Sequence, residues 1–151
     1  MKKLLCISLT LILFSCNSAQ KPIELSLKKI SQGNLYGNGK EQIDEQQMVI
    51  TSQEDWINLK KKIISTGKSS NDLPNLSIDF KERILIVLFD KQQTTGGHSI
   101  EIVESEQTPD KIIFKYRKSH PEGMATSVMT QPYYLASIIK TERKIVFEEI
   151  K

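Results

Sequence analysis

Histidine, the side chain best suited to proton transfer near neutral pH, occurs twice in this 151-residue chain, at His98 and His120. The two histidines are well separated in the sequence, and neither has an acidic residue at the spacing of a metal-ligand motif. A nucleophile elbow around Ser99 would need a glycine where Glu101 stands and a helix behind the serine. The sequence therefore predicts no catalytic residue, no metal site and no cofactor.

The charged clusters favour solvated surfaces over binding sites. Alternation along a strand predicts Glu104 and Glu106 on one face and Glu101 on the other. The three lysines at 60–62 are interpreted as the solvent-facing side of a helix. The chain contains no phosphate-binding loop or dinucleotide fingerprint.

The first sixteen residues are typical of a secretion signal. Lys2 and Lys3 precede an apolar run at 4–14, and Ser15 then leads into Cys16. This segment resembles the signals of bacterial lipoproteins, in which the cysteine is acylated and becomes the mature N-terminus. The resemblance implies a signal peptide at 1–15, a lipidated tether at 16–22 and a single domain at 23–151. The residue after the cysteine, Asn17, resembles the outer-membrane sorting pattern, so we expect a lipid anchor in the cell envelope.

Removal of the signal changes the charge and the cysteine count. Without Lys2 and Lys3, 19 basic side chains face 18 acidic ones, so the clustered positive charge of a nucleic-acid-binding protein is missing. Cys6 would leave with the signal, and an acylated Cys16 could not form a disulfide.

The domain is predicted to be mostly β. The apolar positions Trp56, Leu59 and Ile63 recur at helical spacing after a weak capping box at Ser52. The six apolar residues at 84–89 predict a strand buried on both faces. Alternating strands are expected from Ile23, at 48–51 and at 76–80, and β-branched or aromatic runs at 99–103, 112–116, 130–139 and 144–150 predict further strands. We therefore expect an α+β, mostly β fold: an antiparallel sandwich or open barrel with one covering helix.

Two segments are unusual for plain connections. Residues 91–98 follow the buried strand and contain paired glycines that permit positive φ and close backbone approach. Residues 129–134 place Pro132 inside a strand, which predicts an edge strand or a bulge. An exposed edge beside Tyr133 or Tyr134 would suit peptide docking. The alternative for residues 91–98 is a simple hairpin turn. The alternative for Tyr133 or Tyr134 is a place in the core.

The two segments together resemble the PrcB C-terminal domain family over about residues 80–139. The resemblance lies in Thr95-Gly96-Gly97 and Gln131-Pro132-Tyr133, while His98 occupies a position that is usually aromatic in that family. It implies a non-enzymatic lipoprotein that binds and stabilises a subtilisin-like protease. The residues assigned to partner binding on this basis are Thr95, Gly96, Gly97, His98, Gln131, Pro132, Tyr133 and Tyr134.

Two other functions stay open on the sequence. The segment Thr94-Thr95-Gly96 also resembles the loop of chagasin-type inhibitors of cysteine proteases, although their Arg-Pro-Trp loop is absent. A barrel could also enclose a small ligand. A protease encoded beside this protein would favour the partner reading over both.

Lipidation gives the first testable prediction. The mature protein should begin at an acylated Cys16 and partition with membranes, whereas Cys16→Ser should not be acylated. Mass spectrometry of the N-terminal peptide measures this directly. An unmodified N-terminus in the parent protein would contradict it.

Overall fold

The computed structural model describes residues 25–36, 42–64 and 77–151. Cys16, the signal segment and the tether up to residue 22 lie outside the described residues. In chain order the described elements are β1 (Lys28–Leu35), β2 (Gln46–Ile50), α1 (Gln53–Ile64), β3 (Arg83–Phe89), β4 (Ser99–Gln107), β5 (Lys111–Ser119), β6 (Gln131–Ile139) and β7 (Lys144–Ile150).

Strand β3 lies inside an antiparallel sheet with the order β1-β6-β3-β2. Its side chains at 84–89 are all buried, on both faces of the sheet. A strand that is apolar on both faces needs a covering layer on each side. The prediction of a central, doubly buried strand is confirmed.

A second sheet, with the order β4-β5-β7, covers one face of the first. Ile84, Ile86 and Leu88 of β3 pack towards it, against residues such as Ile112 and Phe114. Strands β5 and β7 pair in parallel because β6, which lies between them in sequence, belongs to the other sheet. This parallel pair departs from the expected antiparallel pattern.

Helix α1 covers the opposite face of the first sheet. The Ser52 hydroxyl caps it by accepting a hydrogen bond from the Asp55 amide at 3.1 Å, which confirms the capping half of the predicted box, while the Asp55 carboxylate accepts from the same hydroxyl at 2.6 Å. Trp56, Leu59 and Ile63 are buried against the face that carries Leu85, Val87 and Phe89. Lys60 stays at the edge of this stripe, with its ammonium 5.3 Å from the centre of the Trp56 ring.

The boundaries of two predicted strands were wrong. Strand β1 begins at Lys28, so Leu25 and Leu27 precede it, although both pack against the core between the sheets. Residues 77–79 form no strand, and Phe80 begins a turn, while Ile23 and Leu76, where the two predicted strands start, lie outside the described residues. Alternation alone did not mark these limits, because apolar side chains in irregular segments can also reach the core.

A register shift in β4 overturns the expected division of its carboxylates. The shift lies between Ile102 and Glu104, so an extra residue resets the alternation. Glu101, Glu104 and Glu106 pair with alternate residues of β5, Arg117, Lys115 and Ile113. All three carboxylates therefore share one face, and the Lys115 ammonium forms ion pairs with Glu104 and Glu106.

The predicted fold class is confirmed: a mostly β, open two-sheet sandwich with one short helix. Among the described residues, no helix is long and apolar enough to cross a membrane.

The burial of Trp56 generates a stability prediction. Its side chain is 1% exposed, so Trp56→Ala should lower the free energy of unfolding by about 3 to 5 kcal/mol. Its neighbour Ile57 is 38% exposed, so Ile57→Ala should cost about 1 kcal/mol at most. Urea denaturation followed by circular dichroism compares the two; equal losses would contradict the packing of α1.

Candidate partner-binding site

The two sequence motifs meet at one end of the sandwich. Gln93 and Thr130 exchange backbone hydrogen bonds of 2.7 and 2.9 Å. The Gly96 amide donates to the Thr126 carbonyl at 3.0 Å, and the Thr130 hydroxyl donates to the Thr95 carbonyl at 3.0 Å. The loop at 94–98 is therefore held against the segment that leads into β6.

The paired glycines have different structural roles. A Cβ on Gly96 would lie 2.6 Å from the Thr126 hydroxyl oxygen, so Gly96 permits close approach. Gly97 has a φ of 85°, in the left-handed region, and its added Cβ would lie 2.9 Å from the Pro121 Cβ. The expected close approach and positive φ are both present, one at each glycine.

Pro132 is in an inner strand, and the pairing of this strand has no register shift at Pro132, so the predicted edge strand or bulge was wrong. Strand β6 pairs with β1 on one side and with β3 on the other. The Asp90 amide donates to the Pro132 carbonyl at 3.0 Å, but proline has no N–H to return the bond. The side-chain amide of the buried Gln131 instead donates to the backbone carbonyl of Asp90 at 3.0 Å and to that of Ile43 at 2.8 Å.

Both motif tyrosines belong to the core. Tyr133 packs on the helix side of the sheet, and its hydroxyl lies 3.0 Å from the Ser31 hydroxyl. Tyr134 packs between the two sheets, where burial raises the pKa of its phenol. The expectation that one tyrosine faces outward was therefore wrong. Together with Gln131 and Pro132, these side chains support the site from beneath.

A polar network closes the sandwich behind the loop. The Lys118 ammonium lies 3.0 Å from a Glu149 oxygen and 3.5 Å from an oxygen of the buried Asp90, and it also pairs with Glu45. Burial alone would lower the pKa of Lys118, but these carboxylates outweigh it and raise the pKa above its ordinary value. The side-chain amide of Gln93 donates a hydrogen bond to the other carboxylate oxygen of Asp90 at 3.0 Å.

The two histidines meet beside the loop. Their Nδ1 atoms lie 3.2 Å apart, and the Thr95 hydroxyl lies 2.9 Å from His98 Nε2. His98 is partly buried, and His120 is exposed. The sequence separation of the pair hid this contact.

Sequence reasoning also missed the exposed apolar side chains at this end. Met124 is fully exposed, and Val128 and Met129 are about half exposed. Tyr36, which follows the end of β1, is exposed at the same end of the sheet. Methionine is enriched at adaptable binding surfaces. The two methionines between β5 and β6 were therefore a sequence signal that could have indicated these exposed side chains.

Residues 84–139 match the family model described as PrcB C-terminal. The match runs from β3 to β6 and includes both motifs, and it confirms the resemblance predicted from them. The PrcB C-terminal family is not a known enzyme family. No curated protein and no solved structure matches the chain significantly.

The PrcB C-terminal match spans strands of both sheets but excludes the helix, β1, β2 and β7. The matched segment contributes the inner strands β3 and β6 of the first sheet and the β4–β5 pair of the second. The loop at 94–98 and the segment at 120–130 connect these strands at one end. The assignment of Thr95, Gly96, Gly97 and His98 to partner binding stays a prediction.

Gly97 and Gly123 form a matched pair for testing the loop. Both have positive φ, at 85° and 91°, so alanine at either position should cost about 1 to 2 kcal/mol. Only at Gly97 does the added Cβ meet a neighbour, because no described atom lies within 4 Å at Gly123. Gly97→Ala should therefore destabilise the protein by about 1 kcal/mol or more beyond Gly123→Ala. Urea unfolding measures both; equal values would show that Pro121 moves freely.

Proposed function

We propose that this protein is a non-enzymatic, lipid-anchored envelope protein whose PrcB-like domain binds and stabilises a partner protein. The partner is a subtilisin-like protease, as the family resemblance implies. The loop at 94–98 and the segment at 120–130 form the binding surface, which we call the loop end.

The observation that carries this proposal is a set of large, exposed apolar side chains on a segment whose backbone is fixed by hydrogen bonds. Met124, Val128 and Met129 belong to the segment whose backbone is hydrogen-bonded to the glycine loop. Because the backbone of this segment is already held, binding need not order it, and burial of its apolar side chains against a partner is favourable even after the cost of immobilising each methionine, about 0.5 to 1.5 kcal/mol. A protein partner supplies the extended apolar surface that such side chains require.

The direction of the chain supports the same arrangement. Leu25 and Ser26 lie near Gln107 and Arg143, at the opposite end of the sandwich from the glycine loop. Strand β1 then runs eight residues towards the loop end, about 26 Å for an extended chain. The described chain therefore enters the domain at the end opposite the loop end.

The alternatives gain less support. Trp56 is buried beneath α1, so it cannot take the place of the tryptophan in a chagasin-type inhibitory loop. Two cavities in the described part of the chain have volumes of about 140 and 230 Å³, below the roughly 300 Å³ at which small-molecule sites begin. Neither cavity lies at the loop end.

Affinity capture tests the proposal. The full lipidated protein is used to capture partners from detergent-solubilised envelopes, and the eluate is labelled with a fluorophosphonate probe that reacts with active serine proteases. We expect a probe-labelled protease in the eluate, and a faster decay of that protease in cells lacking this protein. A captured serine protease that reacts with the probe only after its release from this protein, or a captured cysteine protease, which the probe does not label, would indicate inhibition instead.

Matched variants locate the surface. Met124→Ser with Met129→Ser removes exposed apolar side chains at the loop end, whereas Ile57→Ser with Ile64→Ser removes two exposed, although less exposed, apolar side chains from α1. Because all four side chains are exposed, both double variants should stay folded. We expect the first to lose capture and the second to retain it. Equal capture by both would refute the surface, and absence of any labelled protease would refute the partner class.

A further inference from the structure

His98 and His120 are cross-strand neighbours at the end of the β4–β5 ladder. The last paired residues are Ser99 and Ser119, so the next antiparallel position brings the two histidines opposite each other. Their rings meet edge to face, with centroids 5.3 Å apart, and their Nδ1 atoms are 3.2 Å apart. The same ring nitrogen of each histidine therefore faces the other histidine across the end of the strand pair.

We propose that this pair is a binding site for a divalent transition-metal ion, with Zn²⁺ as its natural probe. Two imidazole nitrogens at about 2.0 to 2.1 Å from a tetrahedral zinc ion lie about 3.3 Å apart. The observed separation of 3.2 Å is close to that value. Zinc can thus bind without a change of strand register, once the two rings turn their Nδ1 lone pairs from each other towards the ion.

Thr95 orients one of the two ligands. Its hydroxyl lies 2.9 Å from His98 Nε2, the ring nitrogen that does not face His120. When Nε2 carries the proton and donates it to the hydroxyl, Nδ1 keeps its lone pair for the metal. An oxygen that accepts from the second nitrogen of a histidine is the usual support of a metal ligand. The Thr95 carbonyl is itself held by the Thr130 hydroxyl.

The surroundings limit the site to two protein ligands. Lys118 lies two positions before His120, and it engages Glu45, Asp90 and Glu149. Among the described residues, no group of three or more histidine, cysteine or acidic side chains could hold a metal. Water completes the coordination, so the binding is weaker than at a structural zinc site. A bound ion would join the glycine loop to the segment that carries Met124.

The test uses the full-length protein in detergent without a histidine tag. Zn²⁺ is titrated at pH 7.5 by calorimetry and by thermal melting, with EDTA to reverse binding. We expect one Zn²⁺ per chain and a rise in Tm, both lost in His98→Ala and in His120→Ala. Thr95→Val should weaken binding by about tenfold or more, because the orienting acceptor is removed.

Several outcomes would overturn the inference. The parent protein could show no Zn²⁺-dependent Tm shift, or both histidine variants could bind Zn²⁺ as tightly as the parent. In either case the pair is a hydrogen-bonded contact only. Because His120 is exposed, His120→Ala decides the question even if His98→Ala fails to fold. The experiment contains no protease, so its result is independent of the proposed function.

Discussion

The burial of β3 on both faces is the constraint from which the rest of the domain follows. Leu85, Val87 and Phe89 point to one side and require the apolar stripe of α1. The alternate residues at 84, 86 and 88 point to the other side and require the second sheet. A strand with no solvent-facing side must also be flanked by hydrogen-bonding neighbours, which are β6 and β2. The apolar run at 84–89 thus accounts for the two covering layers, one of them helix α1, and for the position of β6 inside the sheet.

The inner place of β6 creates a problem that Gln131 solves. Proline in an inner strand leaves a carbonyl of the neighbouring chain without its donor, which normally confines proline to edges. Here the Gln131 side chain donates to the Asp90 carbonyl from beside the proline, and its second bond reaches Ile43. The adjacent glutamine and proline thus act together: they end the backbone pairing between β3 and β6 without leaving the Asp90 carbonyl unpaired.

Local patterns predicted the elements better than their pairing. The helical spacing of Trp56, the capping by Ser52 and the apolar run of β3 each depend on neighbours in sequence, and each was confirmed. The predicted position of Pro132 was wrong, because the tendency of proline to lie at sheet edges reflects its missing backbone N–H. Here the side chain of Gln131 supplies the missing donor. The shared face of the β4 carboxylates and the contact between His98 and His120 depend on a bulge and on strand register. Neither leaves a signal in residue spacing.

The motif residues and the exposed residues have separate tasks. Gly96, Gly97 and Gln131 fasten the loop end, and substituting them would disturb the fold before it touched a partner. Met124, Met129 and His120 lie on that frame with their side chains in solvent, so they can change without loss of the core. The choice of partner should therefore depend on residues outside the recognisable motifs. If the loop end binds a partner as proposed, two proteins that share the glycine loop and the Gln-Pro-Tyr segment would share this frame and would differ in partner through the side chains of the segment between β5 and β6.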